Sequence, residues 1–335
     1  MLTVAQAHVA AAYNAGQTRS AADIPALALF KGDPNGVEFA RSVASFQETW
    51  QLTPDGKLGP ATMAKARTVA AKIQVMATPV PGITRIGAWA MRGAVYTPDD
   101  DLAIAANIRL TDVSLCVHGA DFGKPFKPFV SAAEFARIAR DYRALGITPH
   151  AMFWPQPDAI HAQAVVRYLN DVLDADGPLG SADLDAEEPW TTDPRRAKQG
   201  RSVANLYRSL WPEKLPLAVN GITLALPNLL DLLVVADIAI PQAYTEANQS
   251  TIPGERQTHV IAKWRAANPR AEIVCGLAAY RQEGAGGLSA EEALRRAYDA
   301  AEAAGCRQVR YWDLGELASG KDRAFVTAKC KGLVR

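Results

Sequence analysis

The chain has almost no net charge. Its 36 basic residues stand against 35 acidic ones, a balance of +1 over 335 residues, and no basic block stands out. That argues against a nucleic-acid partner held by neutralising phosphates. Cysteine is scarce: Cys116, Cys275, Cys306 and Cys330 show no CxxC spacing. Cys116 and Cys275 fall in strand-like apolar runs, where a free buried thiol is expected, so no disulfide is assigned. The five histidines, His8, His118, His150, His161 and His259, are scattered without a ligand pattern, so neither zinc nor any other metal is expected, and no cofactor. Long apolar runs are missing too. The longest, around Leu229 to Ile240, is interrupted by Asp231 and Asp237 and falls short of membrane-spanning length. The first residues, Met1-Leu-Thr-Val-Ala-Gln-Ala-His8, lack both a basic start and a continuous apolar core, so no secretory signal is read and synthesis in the cytoplasm is expected.

What is present begins with a small helical head. Residues 3–16 are alanine-rich and read as a helix ending at Gly16. Val37, Phe39, Val43, Phe46 and Trp50 recur near helical spacing, Asp55-Gly56 marks a tight turn, and Gly59-Pro60 opens another helix. Phe46-Gln47, Leu52, Asp55-Gly56-Lys57, Gly59-Pro60 and Thr62, in that order, resemble the signature of the peptidoglycan-binding family, a three-helix cell-wall module. The resemblance implies affinity for bacterial peptidoglycan without catalysis, with the contact surface around the Asp55 to Thr62 loop and Asp55, Gly56 and Thr62 as wall-binding candidates. The division expected is a helical domain over 1–75, a proline-stiffened linker over 76–83, and a second domain over 84–335.

From Thr84 onward a strand-like run recurs about every 30 residues with a helical pattern between, the cadence of βα units. The runs are 85–93, 112–120, 147–154, 182–190, 215–222, 237–246, 272–281 and 308–317. Eight units predict a (β/α)8 TIM barrel. An open doubly wound sheet is the competitor, but no GxGxxG turn follows the first run.

Barrel chemistry sits at the carboxyl ends of the strands. Reading each run to its end collects Trp89, Met91 and Arg92; His118 and Asp121; His150, Trp154 and Gln156; Asn220; Gln242, Tyr244 and Glu246; Tyr280 and Arg281; and Tyr311, Trp312, Asp313 and Glu316. Of these, Trp89, Trp154, Asn220, Gln242, Tyr311, Trp312 and Asp313 are the substrate-binding candidates. Rings to stack on sugars and directional polar groups are what a glycan cleft needs.

The fourth run supplies the acids. Strand alternation puts Asp183, Asp185 and Glu187 on one face with no counter-ion, and packed carboxylates raise at least one pKa, as a general acid near neutral pH requires. Glu188 points away from Glu187 and is expected to be structural. Asp183-x-Asp185-x-Glu187 on a fourth strand resembles the signature of glycoside hydrolase family 18, the chitinase-like enzymes. By that resemblance Glu187 is the general acid and base, Asp185 orients the substrate's acetamide so that its carbonyl oxygen attacks the anomeric carbon, and Asp183 is an inner acid that modulates Asp185. Tyr244 resembles the sixth-strand tyrosine that steadies the acetamido oxygen, and Trp312 the eighth-strand tryptophan under the reacting sugar. Two positions depart from the pattern: Gly180 and Thr245 stand where the family has acids.

The pairing of head and barrel resembles a modular endolysin. The resemblance implies a monomer with no membrane partner that waits in the host cytoplasm until the membrane is breached. It then cuts β-1,4 bonds of the N-acetylglucosamine/N-acetylmuramic acid backbone, by a substrate-assisted, retaining route. Two alternatives stand beside it: a lysozyme resembling glycoside hydrolase family 25, whose first-strand Asp is not evident here, and a catalytically silent, lectin-like wall binder.

Overall fold

The computed structural model describes residues 2–17, 24–27, 29–30, 32–33, 35–50, 52–76, 82–91, 98–119, 123–222, 225–244, 252–279, 288–319 and 323–333. Most of the expected linker, and Arg92, Asp121, Thr245, Glu246, Tyr280 and Arg281, lie outside them. The chain divides into two compact units, Met1–Thr78 and Pro79–Arg335. No helix among the described residues is long and apolar enough to cross a membrane.

The first unit is helical: α1 (Val4–Ala15), α2 (Ile24–Leu27), α3 (Val37–Thr49) and α4 (Pro60–Met76). A reciprocal Thr3–Gln6 capping box starts α1 and Gly16 caps its end. Ala10 and Ala11 pack on Ala40, the small side chains letting α1 and α3 approach closely, while Phe30, Phe39, Val43 and Leu58 fill the other side. The loop between α3 and α4 is tied down by two buried amides. Gln47 Nε2 lies 2.9 Å from Asp55 Oδ1, 3.0 Å from the Lys57 carbonyl and 2.9 Å from Thr62 Oγ1, and Gln47 Oε1 accepts from Gly56 N at 2.8 Å. Asn14 clasps the same turn through the Gly56 carbonyl and Leu58 N. Gly56 has φ +70°, and a Cβ there would lie 2.6 Å from Leu2 Cδ1 and 2.7 Å from the Ala40 carbonyl. Expected as wall contacts, Gly56 and Thr62 are instead buried parts of this lock, and Asp55, though exposed, spends one carboxylate oxygen on it.

The second unit is a closed barrel of eight parallel strands in sequence order: β1 (Arg85–Ala90), β2 (Asp112–Cys116), β3 (Thr148–Phe153), β4 (Ala182–Asp185), β5 (Leu217–Ile222), β6 (Ile238–Gln242), β7 (Glu272–Ala278) and β8 (Gln308–Trp312). With its helices this is the expected (β/α)8 architecture. Around it run α5 (Pro98–Ile108), α6 (Ala132–Ala144), α7 (Ala159–Asp174), α8 (Glu188–Thr191), α9 (Arg196–Leu210), α10 (Leu226–Leu233), α11 (Glu255–Ala267), α12 (Ala290–Ala303), α13 (Leu314–Ser319) and α14 (Arg323–Lys331). Ser131, Asp158 and Ser289 cap α6, α7 and α12.

Alternation along each strand sorts the side chains into two cores. Outward-facing residues such as Ile86, Val113, Leu184, Val219, Leu277 and Tyr311 meet the helices. Inward, Trp89, Cys116, Met152, Ala218, Ile240 and Val274 fill the lumen, with Met91, Trp154 and Trp312 half-buried against them. On the lumen side, β4 therefore presents Asp183 and Asp185, with Ser181 just before it, and β8 presents Gln308, Arg310 and Trp312.

Candidate active site

β4 ends at Asp185, so strand alternation does not carry Glu187 to its place as expected. Pro189 in the first turn starts the short helix α8, and Glu187 sits at its N-cap, with its carbonyl accepting from Trp190 N and Thr191 N. Its carboxylate nevertheless meets Asp185. Gln242 Nε2, at the end of β6, lies 3.1 Å from Asp185 Oδ1, 3.1 Å from Glu187 Oε1 and 2.8 Å from Asn220 Oδ1. One amide thus bridges both acids, whose facing oxygens are at most twice 3.1 Å apart. The amide has two N–H groups for three acceptors, so one oxygen always lacks a donor from it.

The electrostatics follow from burial. Asp185 is fully buried; desolvation first, then the charges of Glu187 and Asp183, hold its carboxyl well above the usual carboxylate range. Glu187 is half-buried, and desolvation raises it as well; the Gln242 bond opposes this and the charge of exposed Glu188 adds to it. Asp185 Oδ2 and Asn220 Nδ2 are buried without a partner. A group that retains its proton in this range is suited to general acid catalysis.

Below them the lumen is charged. Asp183 pairs with Arg310 of β8, a counter-ion that the fourth strand's own sequence does not supply, and accepts from Ser114 Oγ at 2.7 Å. Ser181 Oγ lies 2.9 Å from Asp183 Oδ1 and 2.7 Å from His150 Nδ1, and its single proton serves one at a time. His150 Nε2 is 2.9 Å from Asp112 Oδ1, and Arg85 closes the chain by pairing with Asp112. Burial and the Arg310 charge push His150 below its ordinary value, whereas the bonds from His150 and Arg85 overcome burial and pull Asp112 far below the carboxylate range. His150 therefore lies deep in the lumen rather than at the strand's carboxyl end. Gly180 is explained by it: a Cβ there would lie 2.4 Å from Thr148 Cγ2 and 2.8 Å from His150 Cε1, so an acid at position 180 has no room.

The remaining candidates divide. Trp154 and Trp312 are half-buried at the carboxyl ends of β3 and β8. Trp89 is fully buried, its ring 5.9 Å from that of Trp312 and 5.8 Å from the Arg310 guanidinium, and it fills the lumen rather than offering a platform. Tyr311, expected in the cleft, faces the helices, because alternation puts it opposite Arg310 and Trp312. Asp313 caps α13, one of its carboxylate oxygens accepting from Glu316 N at 2.9 Å. Tyr244 is buried two residues past β6. His118 is fixed structurally, Nδ1 on the Gly119 carbonyl at 2.9 Å and Nε2 accepting from Trp154 N at 3.1 Å. β1 carries no carboxylate, which removes the first-strand acid of a family 25-like lysozyme. Among the described residues no group of His, Cys, Asp and Glu could hold a metal ion. In the helical unit, Leu2, Gln6, Val9, Thr53, Asp55 and Lys57 line a groove of about 480 Å³.

No family model and no curated protein sequence matches this chain. Solved structures share the fold. A xylanase and alpha-amylase inhibitor protein in complex with trehalose superposes at TM-score 0.53, with 15% identity over 74% of this chain and 98% of that one. A second such inhibitor, from Scadoxus multiflorus, gives 0.52, with 13% identity over 76% and 100%. The Bacillus cereus spore cortex-lytic enzyme gives 0.50, with 10% identity over 74% of each chain. At these identities the likeness concerns the barrel alone.

Proposed function

We propose that the chain is a peptidoglycan hydrolase of endolysin type, with a wall-binding helical head and a barrel that cuts β-1,4 bonds between N-acetylglucosamine and N-acetylmuramic acid. The observation that carries the reading is the Asp185–Glu187 pair held by one amide at the barrel's carboxyl end, the end at which Trp154 and Trp312 also stand. Glu187, the more exposed acid, protonates the glycosidic oxygen and later activates water. Asp185, buried beneath it, orients the acetamide whose oxygen attacks the anomeric carbon. The fold shared with a cortex-lytic enzyme fits this reading, and so does the amphipathic groove of the head, where a glycan or its peptide could lie. Mass spectrometry of fragments released from purified sacculi tests it, and reducing-end analysis separates muramidase from glucosaminidase action.

A second reading is a glycan binder without turnover. The complete burial of Asp185 and Asn220, and the loss of room for an acid at Gly180, favour it. It predicts retention on sacculi with no soluble product.

A further inference from the structure

Arg310 is fully buried inside the barrel, where an unpaired charge is prohibitively costly. Its strand neighbours are glycines hemmed in by the residues around the pair. The residue in register with Arg310 is Gly87 on β1 and Gly276 on β7. A Cβ on Gly276 would lie 3.1 Å from Trp89 Cη2, and one on Gly87 would lie 2.9 Å from Asp112 Cβ. Arg310 Nη1 pairs with Asp183 Oδ2 and reaches Ser114 Oγ at 2.6 Å, while Ser114 donates to the same Asp183 oxygen. Trp89 covers the guanidinium and Trp312 lies beyond Trp89, so solvent does not screen the pair.

We propose that Arg310 is a positioning residue that clamps Asp183 in a buried ion pair and offsets its charge, leaving Asp185 and Glu187 to share the mobile proton of the site. The inference rests on the hydrolase reading for its catalytic meaning but not for its electrostatics. Three donors surround Asp183: Arg310 from β8, Ser114 from β2 and, when its proton turns that way, Ser181 just before β4. Asp183 Oδ2 is thus held by two donors at once, while Oδ1 meets Ser181 alone. The other charged or titratable groups facing this layer are His150 on β3, Asp112 and Cys116 on β2, and Arg85 beyond Asp112. The Cys116 thiol, pushed up to about 12 by burial and by the Asp185 charge, stays neutral. β5 and β6 contribute only the amides Asn220 and Gln242, and Val274 of β7 is apolar.

The test is a carboxyl ¹³C NMR titration of Asp185 and Glu187 in the full chain, run beside the pH profile of sacculus hydrolysis. Asp183→Asn leaves a lone guanidinium beneath Asp185, so the titration of the pair falls by about one pH unit or more. The basic limb of hydrolysis, set by loss of the proton on Glu187, falls with it. Asp183→Asn combined with Arg310→Gln removes a neutral unit as two neutral near-isosteres, a change that buried ion pairs often tolerate. Its titration stays within about half a unit of wild type. If the double variant instead falls by a full unit, Asp183 acts as a bare anion and the clamp is refuted. If neither variant moves the titration, Arg310 is structural only and the clamp is refuted as well. Should the titrations move as expected while wild type releases no fragments, the clamp stands and the hydrolase reading fails.

Discussion

Replacing Gln242 by Met removes the amide while nearly keeping the side-chain volume, and it leaves Asp185 Oδ1, Glu187 Oε1 and Asn220 Oδ1 without their shared donor. A hydrogen bond to an ionised group is worth about 1.5–3 kcal/mol. The partial exposure of Glu187 cuts this to about 1.4 kcal/mol, close to one pH unit. The sign is fixed by what the bond favours. Gln242 stabilises the ionised form of Glu187 and so lowers its pKa against burial. Without it Glu187 keeps its proton to higher pH, and the basic limb of glycan hydrolysis moves up by about one unit. The buried oxygens left unsatisfied cost about 1–2 kcal/mol of stability, lowering Tm by about 2–4 °C. The assay is initial-rate turbidity loss of sacculi from pH 4 to 9, with calorimetry on the same protein. A basic limb that stays put or moves down would refute the bridging role.

Other outcomes rest on the same contacts. Gly56→Ala places a Cβ against Leu2 and the Ala40 carbonyl at φ +70°, and should destabilise the helical unit by about 2 kcal/mol, read by its urea midpoint, without changing barrel activity on soluble glycan. Tyr311→Phe, altering a ring that faces the helices, should leave KM unchanged within about twofold, while Trp312→Ala raises it about tenfold or more. Asp185 and Glu187 have folded pKa values raised above the unfolded ones, so they bind protons more tightly in the native state. Stability should therefore fall as pH rises from about 4, the unfolded value, through the raised folded values. Below about 4 the depressed Asp112 acts oppositely, losing its contribution as it protonates. Buried His150, held below its ordinary value, acts the other way up to about pH 6.5, so the carboxyl effect is read by difference: the Tm of Asp185→Asn should rise relative to wild type as pH goes from about 4 to about 9.

The barrel was legible because each strand is a short apolar run at a steady interval, and all eight runs contain the observed strands. Their ends were not. Runs read to residues 190, 246, 281 and 317 stop earlier, at Asp185, Gln242, Ala278 and Trp312, where Pro189 starts a helix and Asp313 caps another. α10 lay hidden in the apolar stretch that continues into β6, where helix and strand look alike without a polar face. The site was half-readable for a simpler reason. Collecting every polar or aromatic residue near a strand end ignores parity, and parity sends Tyr311 outward while bringing Arg310 in beside Asp183. Alternation from Trp312 would have found that counter-ion. No sequence rule marks Gln242 as the bridge between Asp185 and Glu187, because that contact joins β6 to the turn after β4 only once the barrel has closed.

Glu187 is the proton donor on which the proposed hydrolysis depends, and one comparison tests it. Purified sacculi digested with wild type and with Glu187→Gln, analysed by mass spectrometry for released muropeptides, should show saccharide fragments from the first and a loss of about 100-fold or more from the second, with both proteins still bound to the wall. Equal release by the two proteins would contradict the claim that Glu187 donates the proton.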